Sequence, residues 1–232
     1  MTSSEKPHTV SSFDEDLLHM RTLVIQMGAL AHAQVSMAID VLEALDASAA
    51  RAIVANDGQI DRLQVEAELL AVQIFSRHAP LAEDLRDVLA SLRVVSALER
   101  VGDYAKNIAR RTVRMAELSQ NGAVDAVGEL GQGARALLRD VMAAFLDRDV
   151  AKAASVVAAD EAVDRNYNKA FGTLLNAAEQ PGAPVESLTH LQFIAKHFER
   201  IADQATNIAE QIQYAEGGAI PAERHTPADD VD

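Results

Sequence analysis

Two stretches one hundred residues apart carry the side chains that could hold a metal. Leu98-Glu99-Arg100-Val101-Gly102-Asp103-Tyr104-Ala105-Lys106-Asn107-Ile108-Ala109 returns as Phe198-Glu199-Arg200-Ile201-Ala202-Asp203-Gln204-Ala205-Thr206-Asn207-Ile208-Ala209, with seven of twelve positions identical. In each copy Glu, Asp and Asn step by four, which on a helix sets them on neighbouring turns of one face. Like charges at that spacing weaken an isolated helix by ~0.2–0.5 kcal/mol, and a chain that does this twice needs a reason. One reason is a solvated acidic face left by a duplication. The other is a pair of equivalent cation sites, because hard metals gather oxygen ligands.

The duplication is wider than these helices. Asp57-Gly58-Gln59-Ile60-Asp61-Arg62 is echoed by Asp160-Glu161-Ala162-Val163-Asp164-Arg165 at an offset of 103, and Ile53-Val54-Ala55 by Val156-Val157-Ala158. Each half therefore carries two acidic pairs on successive helices: Asp57/Asp61 with Glu99/Asp103, then Asp160/Asp164 with Glu199/Asp203. Four carboxylates in one groove repel and raise one another's pKa unless a cation stands among them. Arg62, Arg100, Arg165 and Arg200 directly follow acidic residues, but an adjacent helical side chain turns about 100° away. Lys106 and Lys196 suit ordinary surface ion pairs, which are worth little.

The elements that must position these groups are all helical. Apolar periodicity predicts helices over about Phe13–Leu45, a second up to Ala79-Pro80, then Leu81–Leu118, Val124–Leu146, Val150–Ala178 and Val185–Ala215, with Ser11 or Ser12 as first cap. Gly128, Gly131 and Gly133 weaken the first turns of the fourth. No strand pattern competes. The expected fold is all-α, six helices in two repeated three-helix bundles spanning 11–118 and 124–216. Residues 1–10 read as loose, Ser119-Gln120-Asn121-Gly122 as a loop, and 217–232 as a disordered acidic tail.

At 100° per residue, the last helix shows one clean stripe, Leu191, Ile194, Phe198, Ile201, Ala205, Ile208 and Ile212. Glu199 lies roughly 130° and Asp203 roughly 170° from its centre, and Asp57 and Asp61 roughly 100–140° from the stripe of their own helix. The acids are thus expected beside a helix seam, open to water. The third helix is apolar on two sides in its first half (Leu81, Leu85, Val88, Leu89 and Leu92 against Val94, Leu98, Val101, Ala105 and Ile108), and so should pack on more than one neighbour.

Composition narrows the function. The chain has 232 residues, only 4% aromatics, 11 Gly, 6 Pro and no Cys, which excludes disulfides, thiolate metal sites and cysteine nucleophiles. A formal charge of −14 argues against nucleic acid and anionic lipid as partners. No apolar run approaching the ~20 residues of a membrane span is expected, and Met1-Thr2-Ser3-Ser4-Glu5-Lys6 has no signal pattern, so a cytosolic location follows. A di-iron oxidase needs Glu-x-x-His on each of two helices, and the chain has only Glu5-Lys6-Pro7-His8 near its start; Gly128-Glu129-Leu130-Gly131-Gln132-Gly133 lacks the strand and lysine of a phosphate loop. His197 sits by the second motif helix without such a partner, and His19, four after Glu15 and three after Asp16, reads as an ordinary surface histidine.

The paired Glu-Arg-[Val/Ile]-[Gly/Ala]-Asp-x-Ala-x-Asn-Ile-Ala helices, each preceded by an Asp-x-x-[Ile/Val]-Asp helix, resemble PhoU-type regulators of phosphate transport and signalling over about residues 11–215. Phe13-Asp14-Glu15-Asp16-Leu17 and Met27-Gly28 of the first helix fit the same pattern. The resemblance implies two three-helix bundles and multinuclear iron or zinc clusters. Their ligands would be Asp57, Asp61, Glu99 and Asp103 in one half and Asp160, Asp164, Glu199 and Asp203 in the other, with Asn107 and Asn207 behind them. It also implies a non-enzymatic adaptor at the inner membrane face, and the two apolar sides of the third helix point to a homodimer. Such an adaptor sits between the ATPase subunit of a phosphate transporter and a sensor histidine kinase, restraining the Pho regulon. Gln64 stands where many relatives carry Glu, so the first site could lack one carboxylate. A carboxylate-bridged metalloenzyme on a helical bundle is the alternative, and a metal-free acidic scaffold the third.

Overall fold

The computed structural model describes residues 7–55, 58–116, 118 and 123–217, with side chains from residue 12 onward except at position 82. Within them lie α1 (Pro7–Ala44), α2 (Ala47–Ala55), α3 (Gly58–His78), α4 (Ala82–Met115), α5 (Val124–Asp147), α6 (Val150–Ala178) and α7 (Val185–Gly217). No strand occurs among the described residues. Segments α2 and α3 flank residues 56 and 57 and together fill the place of the second expected helix. The all-α helical-bundle reading holds. Helix α1 begins at Pro7, before the serines expected to cap it, as suits a proline in a first turn. The expected acidic tail beyond Gly217, the loop 119–122 and Asp57 lie outside the described residues.

Each long helix is formed by an apolar stripe that another helix covers. On α7 all seven residues of the expected stripe are buried, at 5% exposure or less. On α1 the stripe runs Met20, Val24, Met27, Ala31, Val35, Ala38 and Leu42, at 1% or less. By length and composition Ser12–Ala44 is apolar enough to cross a membrane, which corrects the expectation that no such run exists. Here the surplus apolar residues serve the core, since α1 packs against α2, α3, α4 and α5.

One core runs through both repeats, from Met20 to Ile212. Helices α1, α3 and α4 pack together, as do α5, α6 and α7, and α4 lies along α7 while α1 lies along α5. Contacts Arg93–Gln211, Tyr104–His197 and Arg111–His190 show that α4 and α7 run antiparallel. The two motif copies therefore lie side by side, running in opposite directions. The double-sided apolar start of α4 is explained in part: Val88 is fully buried, whereas Leu81 remains 79% exposed.

The duplication extends to the corners. Leu45 (φ 50) and Arg148 (φ 53) are both left-handed, and the Asp after each caps the next helix. Asp46 Oδ1 accepts from the Ser48 and Ala49 amides at 2.9 and 3.0 Å, and Asp149 Oδ1 from the Lys152 amide at 2.9 Å. The glycines of α5 are contact points, not weak ones. A methyl group at Gly131 would sit 2.8 Å from the Phe198 ring, so this glycine lets the ring of the second motif lie flat against α5.

Candidate metal centre

The two repeats treat their carboxylates differently. In the second, Asp160 comes from α6 on the same side as the buried Val156 and Val163, and it is only 7% exposed. Glu199 and Asp203 come from α7, one turn apart, where α6 closes over them. Lys196, three residues before Glu199, donates to Glu199 Oε1 at 2.6 Å, and that carboxylate side chain is 15% exposed. Glu199 Oε2 is buried and receives no hydrogen bond. The angular reading that left these acids open to water is thereby corrected. A helix within a bundle has two covered flanks, and the flank carrying Glu199 and Asp203 faces α6.

Electrostatics ties four of the predicted ligands together. The Asp203 carboxyl is pushed up to about 6, first by burial, then by the negative charges of Glu199 and Asp160, with Asp164 adding and Lys196 opposing. Asp160, Asp164, Glu199 and Asp203 thus form one interacting group at the α6–α7 seam, with Lys196 as its only opposing charge in that balance. Asp164 itself is exposed at the rim. Among the described residues no three Asp, Glu or His side chains converge closely enough to hold an ion as they stand. The donor set nevertheless fits a hard cation: all oxygen, mutually repelling, with one buried oxygen of Glu199 lacking a donor.

The first repeat is more open. A methyl group at Gly102 would touch Ile60 Cδ1 at 2.9 Å, so the α3 turn bearing Asp61 lies beside the α4 turn bearing Asp103. Both carboxylates are exposed, Glu99 is half-buried, and Asp103 stands 3.9 Å from Lys106 Nζ. Gln64 donates to Glu68 at 3.2 Å along α3. Asp57, the remaining expected ligand, lies outside the described residues.

The two asparagines part company with the acids. Asn107 accepts from Arg110 Nη1 at 3.2 Å, in a basic groove, and Asn207 is exposed. His19 is exposed and 3.4 Å from Glu66, as a surface histidine should be. His197 is half-buried and stacks on Tyr104 at 5.7 Å between ring centroids. Its pKa is lowered to about 4 by burial and by Arg111 and Arg200. The basic groove was not among the expected sites. Its signal lay in the difference between the copies, where Arg110, Arg111 and Arg114 meet Glu210, Gln211 and Tyr214.

Comparison with known proteins agrees with this geometry. The PhoU domain model matches residues 24–112 and again 127–212. The phosphate-specific transport system accessory protein PhoU homolog of Zymomonas mobilis is 40% identical over 96% of this chain and 94% of its own. That of Caulobacter vibrioides is 39% identical over 89% and 90%. The crystal structure of PhoU from Pseudomonas aeruginosa superposes with a TM-score of 0.85 at 30% identity, covering 89% of this chain and all of its own. The phosphate transport system regulatory protein PhoU from Streptococcus pneumoniae does so at 0.83 and 26%, covering 90% and 98%. These relatives are named as transport accessory and regulatory proteins, not enzymes. With both repeats matched and the duplicated acidic helices in place, the chain belongs to the PhoU family of phosphate transport regulators.

Proposed function

We propose that this protein restrains phosphate uptake and Pho-regulon signalling as a cation-loaded adaptor. It would work in the cytoplasm, peripheral to the inner membrane, as a homodimer bridging the transporter's ATPase subunit and a sensor histidine kinase. The observation that carries the cation part is the carboxylate group at the α6–α7 seam, whose members hold Asp203 up to about 6. Iron or zinc, bound by Asp160, Asp164, Glu199 and Asp203, would relieve that repulsion and displace Lys196 as counter-charge. Asp57, Asp61, Glu99 and Asp103 would hold the second cluster, with Asn107 and Asn207 outside the ligand shell. The two three-helix repeats, 11–118 and 124–216, are proposed as the two metal-carrying units. The adaptor part is supported by the names of the relatives, which place them with a phosphate transport system.

Elemental analysis of protein purified without chelator tests the first part. At least one metal ion per chain is expected, falling well below one in Glu199→Gln/Asp203→Asn; wild type with less than one per chain overturns the cation reading. Capture from membranes, comparing wild type with Glu99→Ala/Glu199→Ala, tests the second. Recovery of neither a transporter subunit nor a kinase with wild type would sink the adaptor.

A further inference from the structure

The corner between α2, α4 and α7 holds a groove that the carboxylate reading does not use. Arg51 and Val54 of α2, His197 of α7, and Asn107, Arg110, Arg111, Val113 and Arg114 of α4 line a cavity of about 630 Å³. Among the described residues four arginines and no acidic residue line it, in a chain whose formal charge is −14. Its volume lies within the roughly 300–1,000 Å³ range of small-molecule pockets.

The arginines are held in place. Arg111 lies 3.9 Å over the Phe193 ring, with Nη1 3.4 Å from His190 Nδ1. Arg110 is oriented by the Asn107 side chain at 3.2 Å. At the inner wall, His197 Nδ1 is buried and has no hydrogen-bond partner.

Basic residues near a helix C-terminus are favoured by its dipole, which would account for one of these arginines. It does not account for Arg51, which arrives from another helix. Nor is the cluster a by-product of duplication. The acids are kept in both repeats, whereas Arg110, Arg111 and Arg114 are replaced by Glu210, Gln211 and Tyr214 in the second.

We propose that this groove binds a small molecule carrying two or more linked phosphate groups, held by Arg51, Arg110, Arg111 and Arg114. Guanidinium forks match phosphate oxygens two at a time. Several of them around one cavity favour a ligand with several phosphates over a single oxyanion.

The test is isothermal titration calorimetry of the full chain in chelator, so that divalent cations at the carboxylates play no part. Inorganic tripolyphosphate is the probe, with orthophosphate and citrate as comparisons. Tripolyphosphate is expected to bind at least tenfold more tightly than either. Its affinity should fall at least tenfold in Arg110→Gln/Arg114→Gln and again in Arg51→Gln, and weaken steadily with salt. Arg165→Gln, a surface arginine away from the groove, should bind as wild type does. Thermal unfolding checks that each variant is folded, and Arg51→Gln on a separate helix guards against local damage to α4. No binding at millimolar tripolyphosphate, equal affinity for citrate, or unchanged affinity in both groove variants would overturn the proposal.

Discussion

Asp203 shows what a buried acidic group costs when no cation attends it. Its carboxyl sits at about 6, against 3.8 in an exposed chain, because burial and Glu199, Asp160 and Asp164 all disfavour its charge. Folding therefore takes up a proton between about pH 4 and pH 6. Stability of the metal-free protein should fall as pH rises through that window and level off above it. Asp203→Asn removes this dependence. It should stabilise the chelated protein at pH 7 by on the order of 1 kcal/mol, allowing for solvent screening of a partly exposed group, as measured by denaturant unfolding at pH 5 and 7. Lys196→Met should leave the acids more in need of a metal and so tighten cation binding, read by titration with zinc. The identity of these acids was legible from spacing alone. Their burial was not, because a helical wheel locates the side of α7 away from its stripe but says nothing of α6 closing over it.

At the scale of helices, the stripes were readable from their period and several breaks from Asp46, Ala79-Pro80 and Pro181-Gly182, whereas the break between α2 and α3 was not. The corners were not, since a left-handed residue leaves no signature unless it is Gly or Asn. Ala79 (φ 44) and Gly182 (φ 78) occupy matching corners, one hundred and three residues apart. Alanine pays a steric cost there that glycine avoids, so Ala79→Gly should stabilise by about 0.5–1 kcal/mol by thermal or urea unfolding. Helical glycines split the other way. Gly131→Ala would press a methyl into the Phe198 ring at 2.8 Å and should destabilise by about 1–3 kcal/mol. At Gly172, on the α6 surface, a methyl group would meet nothing within 4 Å, and Gly172→Ala should gain about 0.5–1 kcal/mol. The glycines of α5 looked like weaknesses because propensity counts backbone freedom and cannot see the ring that needs the space.

Across the whole molecule, the repeat predicted two bundles, and the structure adds that they share one core. With α4 and α7 burying each other, thermal unfolding should be a single transition with equal calorimetric and van't Hoff enthalpies; two resolved transitions would contradict this. Arg148 ties the far end together, bonding Asp87 of α4 at 2.6 Å and also Glu216 of α7. Both pairs are partly exposed and worth at most about 1 kcal/mol each. The arginine groove was invisible to motif reading because its members come from positions 51, 107–114 and 197 and meet only when α2, α4 and α7 assemble.

The antiparallel packing of the duplicated helices sets how such a protein could respond. With their buried faces pressed together through the centre, neither half can swing without tearing open the interior. A change in occupancy at one flank would then reach the far side as a tilt or release of the entire body on its partner, a grip loosened and not a hinge flexed.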